Sequence, residues 1–93
     1  MTEPLPTSQV KQLVVALLTR GSLAFTKHAL EEMKIDDLKH VDVRNALRAG
    51  VVSPGELERG TYRYRVSTSR IAAVIAFRSE SHAVVVTAWR CHD

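Results

Sequence analysis

The spacing of apolar residues changes near residue 50, and this change constrains the fold more than any other feature of the chain. Up to Gly50 apolar residues recur every three or four positions, whereas the later segments 71–77 and 83–88 are almost continuously apolar. Such runs indicate central strands that are at least partly covered on both faces. A chain of 93 residues has room for one small core. Helices followed by strands therefore predict a single α+β domain over residues 1–93.

Three helices are predicted before residue 50. The first begins with Thr7 or Ser8 as its cap and ends before Gly21. Thr26 caps a short second helix, and a third helix runs over residues 40–49. The side chains expected to face the core from the second and third helices are Leu30, Met33, Val43, Ala46 and Leu47.

Four extended segments follow, namely VVSPGEL, TYRYRVS, RIAAVIAFRS and HAVVVTAWR. Strands so close in sequence join by hairpins, so we expect the helices to pack on one antiparallel, mainly meander sheet. Pro54 confines the first segment to a sheet edge or breaks it. The earlier segment SLAF is expected to be a short extended connection.

The overall composition favours an acidic partner and a reducing compartment. Lysine and arginine number 13 against 10 aspartates and glutamates, which gives a net charge of +3. Cys91 is the only cysteine, so an internal disulfide and a multi-cysteine zinc site are excluded. The N-terminal segment lacks the pattern of a secretory signal, and no segment has the apolar length of a membrane span. We therefore expect a cytoplasmic protein without membrane contact.

Basic residues cluster over residues 59–78, where five arginines occur without a carboxylate among them. Strand alternation places Arg63 and Arg65 on one face and Tyr64 on the other. Because a buried guanidinium without a partner is costly, this arginine face should be open to water or to a polyanion. Solvation is the simpler explanation for the arginines at the strand ends, which are Arg59, Arg70 and Arg78.

Four further residues are candidates for contact with nucleic acid. Arg90, like the strand arginines, is suited to bind phosphate. Thr87 and Trp89 share a face of the last strand, which is the arginine face if the register suits. Trp89 then stacks on a base, although the pattern slightly favours its burial in the core. Tyr64 is interpreted first as a core residue, and alternatively as a hydroxyl donor to a phosphate.

His28 is the candidate general base. It lies in the first turn of the second helix, where the helix macrodipole disfavours an added positive charge. That position favours the neutral imidazole that a general base requires. The alternative is a structural histidine that hydrogen-bonds to a neighbouring loop.

The other histidines and the C-terminal residues carry less information. His40, His82 and His92 each lie at the end of an element, and none has ligand spacing to another. Residues 91–93 combine Cys, His and Asp, but adjacent residues at a strand end point apart and do not form a catalytic triad. We predict no metal site and no cofactor.

Four motifs in order, FTKHALEEM, ALRAG, GTYRYRV and VVVTAWR, resemble domain of unknown function family 4258. This is a family of small bacterial domains allied to the RelE/ParE toxin superfamily. The resemblance covers about residues 23–90, so residues 1–22 form a helix outside the family. It implies a RelE-like, or microbial ribonuclease-like, fold in which helices pack on one face of a curved antiparallel sheet.

The resemblance also implies a function, that of a toxin-antitoxin-type endoribonuclease that needs no metal. A base such as His28 activates the ribose 2′-hydroxyl, and basic side chains hold the scissile phosphate. The residues that match the motif positions are His28, Arg63, Thr87 and Trp89. Charge and geometry add Arg65 and Arg90. RNA or the ribosome and a small acidic antitoxin-like protein are the implied partners. The alternative is a non-catalytic module that binds nucleic acid or an acidic protein through the same face.

Overall fold

Three helices occupy the first half of the chain in the computed structural model, which describes residues 1–91. They are α1 (Thr7–Arg20), α2 (Lys27–Ile35) and α3 (His40–Ala49). The predicted cap of α2 is confirmed, because the Thr26 hydroxyl accepts a hydrogen bond from Ala29 N at 3.0 Å. The N-cap of α1 is Pro6 rather than Thr7 or Ser8, and it makes no side-chain capping bond. None of these helices has the length and apolarity needed to cross a membrane.

The helices contribute apolar side chains to one shared core. The stripe predicted for α3 is buried, and so is Met33 of α2. Leu30 is exposed instead, because α2 contacts the core through Ala29 and Met33, which lie one turn apart. The residues that α1 adds to the same core are Val10, Val14, Leu17 and Leu18.

Within residues 1–91 six strands form one sheet, in which β5 and β6 are central as their apolar runs predict. The strands are β1 (Ser22–Phe25), β2 (Val51–Val52), β3 (Glu56–Glu58), β4 (Thr61–Ser67), β5 (Ile71–Ser79) and β6 (His82–Arg90). Their order is β1-β6-β5-β4-β2, and β3 also pairs with β4. The first predicted strand is therefore split at Pro54 into β2 and β3, which pair with different parts of β4.

The sheet is mixed, which corrects the expectation of an antiparallel sheet and of a mere connection at SLAF. β1 pairs in parallel with β6, with Ser22 opposite His82 and Phe25 opposite Val85. Two helices, α2 and α3, and the strands β2 to β5 lie between β1 and β6 in the chain. The two parallel strands are therefore joined by a crossover and not by a hairpin. The strands β4, β5 and β6 are consecutive antiparallel neighbours.

The two faces of the sheet have different neighbours. Tyr64, Ile75 and Val85 belong to the core cluster that includes side chains from all three helices. The opposite side of the sheet, which we call the open face, carries Arg65, Val74 and Thr87 in one row across β4, β5 and β6. The helices thus cover one side of the sheet, and the predicted arginine face lies on the other side.

Candidate nucleic-acid interface

Both candidate arginines line a cavity of about 320 Å³ on the open face. Arg63 and Arg65 lie two positions apart on β4, so alternation directs both side chains to the same side. Val74 of β5 and Ser53, which follows β2, complete part of the wall. The structure therefore brings Arg63 and Arg65 together in a single concave site.

Two carboxylates enter the same cavity from β3. Glu56 is opposite Arg63 in the strand register, and Glu58 Oε2 lies 3.5 Å from Arg63 Nη1. The arginine face is therefore not free of carboxylates, which corrects the expectation from the 59–78 segment. The signal in the sequence is the alternation of GELERG, which gives both glutamates one face of a strand that is short enough to pair locally with β4.

Arg63 is only partly satisfied by its neighbours. Its side chain is 27% exposed, and its Nε is buried without a hydrogen-bond partner among the described residues. A buried donor without an acceptor costs about 1–3 kcal/mol. The ion pair with Glu58 engages Nη1 alone, whereas a guanidinium has five N–H donors. Arg63 therefore retains donors that an anionic ligand can use.

Arg65 contacts the only tryptophan. Its Cζ lies 5.3 Å from the centre of the Trp89 ring, which is cation–π geometry. Trp89 is opposite Ala72 and Arg65 is opposite Val74, so the two side chains meet across β5. Trp89 is half-buried on the open face and lies outside the core cluster, so the preference for core burial is wrong.

Thr87 shares the open face but stands apart from the arginines. It is half-buried and lies opposite Val74, which separates it from Arg65 by one strand. It does not line the cavity that contains Arg63 and Arg65. Thr87 is therefore a neighbour of the site and does not form part of its wall.

Tyr64 belongs to the core. Its position does not fit the alternative role, in which its hydroxyl donates a hydrogen bond to a phosphate. Its side chain is fully buried on the helix side of the sheet. The hydroxyl donates to Glu3 Oε2 at 2.8 Å and accepts from Leu5 N at 2.9 Å. Burial raises the pKa of the Tyr64 hydroxyl to about 12, and the Glu3 carboxylate also raises it. This hydroxyl fastens the N-terminal segment and does not face a ligand.

Arg90 also has a structural role, because it binds the C-terminal end of α2. Its Nε donates to Asp36 O and its Nη2 donates to Asp37 O, each at 3.2 Å. Its backbone N donates to the Asp36 carboxylate at 2.7 Å. A cation at this end of a helix interacts favourably with the macrodipole. Arg90 is therefore engaged with α2 and is not part of the open-face cavity.

His28 is exposed and is not in contact with the arginines. Its side chain is 63% exposed, and its Nε2 lies 3.6 Å from Glu32 Oε1, one turn along α2. His28 does not line either of the two cavities described for Arg63. Thr26, two residues earlier, does line a second cavity with Arg63. The structure thus places the start of α2 near the site without bringing the imidazole to a guanidinium.

The remaining candidates form no second site within residues 1–91. His40 stacks on Phe25, with 4.3 Å between ring centres, and the His82 ring contacts the Ser22 hydroxyl. These residues contain no group of three side chains arranged to hold a metal ion. His92 and Asp93 lie outside the described residues, so the structure does not describe the C-terminal Cys-His-Asp sequence.

Comparison with known proteins identifies a family but no characterised relative. Residues 25–90, more than two thirds of the chain, match the model of a domain of unknown function, DUF4258. No curated protein and no solved structure matches the chain. The matched range begins at the end of β1 and ends at the end of β6, so it contains α2 and every strand that builds the arginine face. The chain belongs to the DUF4258 family.

Proposed function

We propose that the protein binds RNA through its open face, with Arg63 and Arg65 on phosphates and Trp89 beside a base. One observation carries this proposal: two arginines of β4 line a single cavity on the side of the sheet opposite the helices. One guanidinium group can donate two parallel hydrogen bonds to two phosphate oxygens. Aromatic rings in RNA-binding sheets stack on unpaired bases. The choice of RNA rests on the resemblance to the RelE/ParE toxins.

The ion pair between Arg63 and Glu58 affects how an RNA would bind. Glu58 is 61% exposed, so its carboxylate can leave Arg63 for water without losing buried contacts. An exposed pair of this kind stabilises a protein by at most about 1 kcal/mol. A phosphate is therefore able to replace Glu58, and the carboxylate acts as a weak competitor for the same guanidinium.

Binding is tested by the fluorescence anisotropy of a labelled single-stranded RNA at about 50 and about 200 mM salt. We expect Arg63→Gln to weaken binding about tenfold, because a charge-assisted phosphate contact is lost. Glu58→Gln should tighten binding about threefold, because the competing carboxylate is removed. Arg70→Gln and Glu80→Gln are exposed charge changes away from the cavity and serve as controls. Wild-type protein that shows no salt-sensitive RNA binding would contradict the proposal.

A second candidate function, RNA cleavage, is favoured by the carboxylate beside Arg63. In this reaction a base takes the proton of the 2′-hydroxyl, the 2′-oxygen bonds to phosphorus, and the 5′-oxygen leaves and receives a proton. Glu58 lies beside the guanidinium that would hold the phosphate, whereas His28 pairs with Glu32 on α2. Glu58 is therefore a candidate base together with His28, which the family motif suggests.

Cleavage is tested by incubating wild type, His28→Ala, Glu58→Gln and Arg63→Gln with RNA in the presence of a chelator. Products with 2′,3′-cyclic phosphate ends are expected from the wild type and not from Arg63→Gln. The variant at the true base loses cleavage but still binds a 2′-deoxy analogue of the RNA. If the wild type binds RNA but does not cleave it, alone or with ribosomes, the hypothesis of a toxin-like nuclease is wrong and that of a binding module stands. Growth arrest on expression, relieved by an acidic partner protein, would support a toxin-antitoxin pair.

A further inference from the structure

The open face contains a second, smaller cavity of about 170 Å³ on the other side of Arg63. Polar side chains of three separate segments line it, above a floor that includes Ala76 and Val84. The polar residues are Thr26, Thr61, Arg63 and Arg78. Arg63 also lines the larger cavity, so it stands between the two. Arg78, expected to be a solvated strand-end residue, therefore belongs to the same face as Arg63.

The two cavities differ in charge. The larger one combines Arg63 and Arg65 with Glu56 and Glu58, so its formal charges cancel. The smaller one has two guanidinium groups and two hydroxyls, and none of the described residues in its wall carries a carboxylate. Its volume is also below the range of about 300–1,000 Å³ that is typical of sites for drug-sized ligands. A small oxyanion fits this charge and size better than a nucleoside does.

Two local features add positive potential to the smaller cavity. Thr26 is the N-cap of α2, so the positive end of that helix lies at the rim. The Thr26 hydroxyl donates to Val86 O at 2.9 Å and accepts from Ala29 N, which fixes this part of the wall. The ion pair with Glu58 is made by Nη1 of Arg63. The Nη2 donors of the same guanidinium lie outside that pair and can bind a ligand held jointly with Arg78.

We infer that the smaller cavity is a phosphate subsite in which Arg63 and Arg78 hold one phosphate of a bound strand. The mixed-charge cavity then takes the adjoining nucleoside, whose hydroxyl and amino groups can donate to Glu56 and Glu58. This inference rests on the proposed RNA binding. It adds Arg78 to the interface. It also assigns the smaller cavity to a phosphate and the larger cavity to a nucleoside of the same strand.

The test compares Arg78→Gln with Arg70→Gln, a matched substitution at an exposed arginine that lines neither cavity. We expect Arg78→Gln to weaken RNA binding about tenfold and to lower the salt slope by about one, as for one lost phosphate contact. Arg70→Gln should bind as the wild type does. Arg78→Lys, which keeps the charge but not the planar fork, should restore only part of the affinity. Circular dichroism of each variant checks that the fold is unchanged.

A titration with inorganic phosphate separates this inference from the proposed function. We expect phosphate to shift the NMR signals of the Arg63 and Arg78 guanidinium groups at a lower phosphate concentration than the signal of Arg65, whose cavity also contains two carboxylates. If the wild type binds no RNA but these two signals shift, the phosphate site stands and RNA binding is wrong. If RNA binding is lost in Arg63→Gln but Arg78→Gln behaves like Arg70→Gln, RNA binding stands and the subsite is wrong.

Discussion

Two adjacent residues of β4, Arg63 and Tyr64, show how strand alternation separates stability from function. Tyr64 is fully buried, and its hydroxyl donates a hydrogen bond to Glu3 and accepts one from Leu5. Arg63, on the other side, is partly exposed, and its buried Nε has no acceptor within residues 1–91. Most buried polar groups in folded proteins are paired, so this donor at a concave surface calls for an acceptor from water or from a ligand.

The pKa of Tyr64 predicts a loss of stability in alkaline solution. Its folded value is about 12 and the ordinary value is 10, so both states are protonated below pH 10 and the stabilisation is complete there. Above pH 10 the unfolded chain loses this proton first, and the free energy of unfolding falls until the folded pKa is passed. The expected loss at pH 11 is about 1.4 kcal/mol.

Urea unfolding of the wild type and of Tyr64→Phe between about pH 8 and about pH 11 measures this loss. The variant lacks the titrating hydroxyl, so other groups that titrate in this range cancel in the difference between the two proteins. Tyr64→Phe itself should be less stable at pH 8 by about 1–2 kcal/mol, because Leu5 N loses its buried acceptor. Identical pH dependence in the two proteins would contradict the assignment.

At the scale of elements, the break between β2 and β3 shapes the site. Pro54 and Gly55 divide the edge beside β4, so that β3 forms a separate hairpin whose glutamates reach Arg63. Gly55 is needed for packing: a Cβ at this position would lie 2.6 Å from Tyr64 Cε1. The fully buried Tyr64 ring has no room to move away.

Gly55→Ala should therefore destabilise the protein by about 2 kcal/mol, as overpacking of a buried site does. Gly60→Ala is the comparison, since Gly60 has open space around it but a φ of +81°. There only backbone strain opposes the methyl group, and we expect about 1 kcal/mol. Thermal unfolding of both variants checks the order. A Gly55→Ala protein as stable as the wild type would show that β3 is not held against the Tyr64 ring.

The elements also show what the sequence could and could not predict. The cap of α2 and the apolar stripe of α3 are local signals, and the strand alternation that places Arg63 and Arg65 on one face is local as well. The parallel pairing of β1 with β6 is not, because four residues carry little periodicity and their partners are 60 positions away. The glutamates of β3 and the structural position of Arg90 depend likewise on contacts between segments.

At the scale of the whole molecule, α1 is part of the core although it precedes the range that matches the family. Val14 and Val15 are neighbours on α1, and the first is fully buried whereas the second is 41% exposed. Val14→Ala should lower the free energy of unfolding by about 2 kcal/mol, through lost burial and the cavity that remains.

The same substitution at Val15 should change stability by no more than about 0.5 kcal/mol, because this side chain is open to solvent and its truncation leaves no enclosed cavity. Chemical denaturation of both variants, followed by fluorescence and by circular dichroism, compares them. We expect one cooperative transition in each, since α1 and the sheet share one core. Equal effects at the two positions, or a separate transition for the helix, would contradict a shared core.

The parallel pairing of β1 with β6 also bears on how the protein folds during synthesis. β1 is made early, but its hydrogen-bonding partner is complete only at residue 90. Until β6 has left the ribosome, β1 remains an unpaired edge and β5 lacks its central neighbour. Contacts between such distant residues form slowly, because a long loop must first close. The native sheet can therefore be completed only after β6 has left the ribosome.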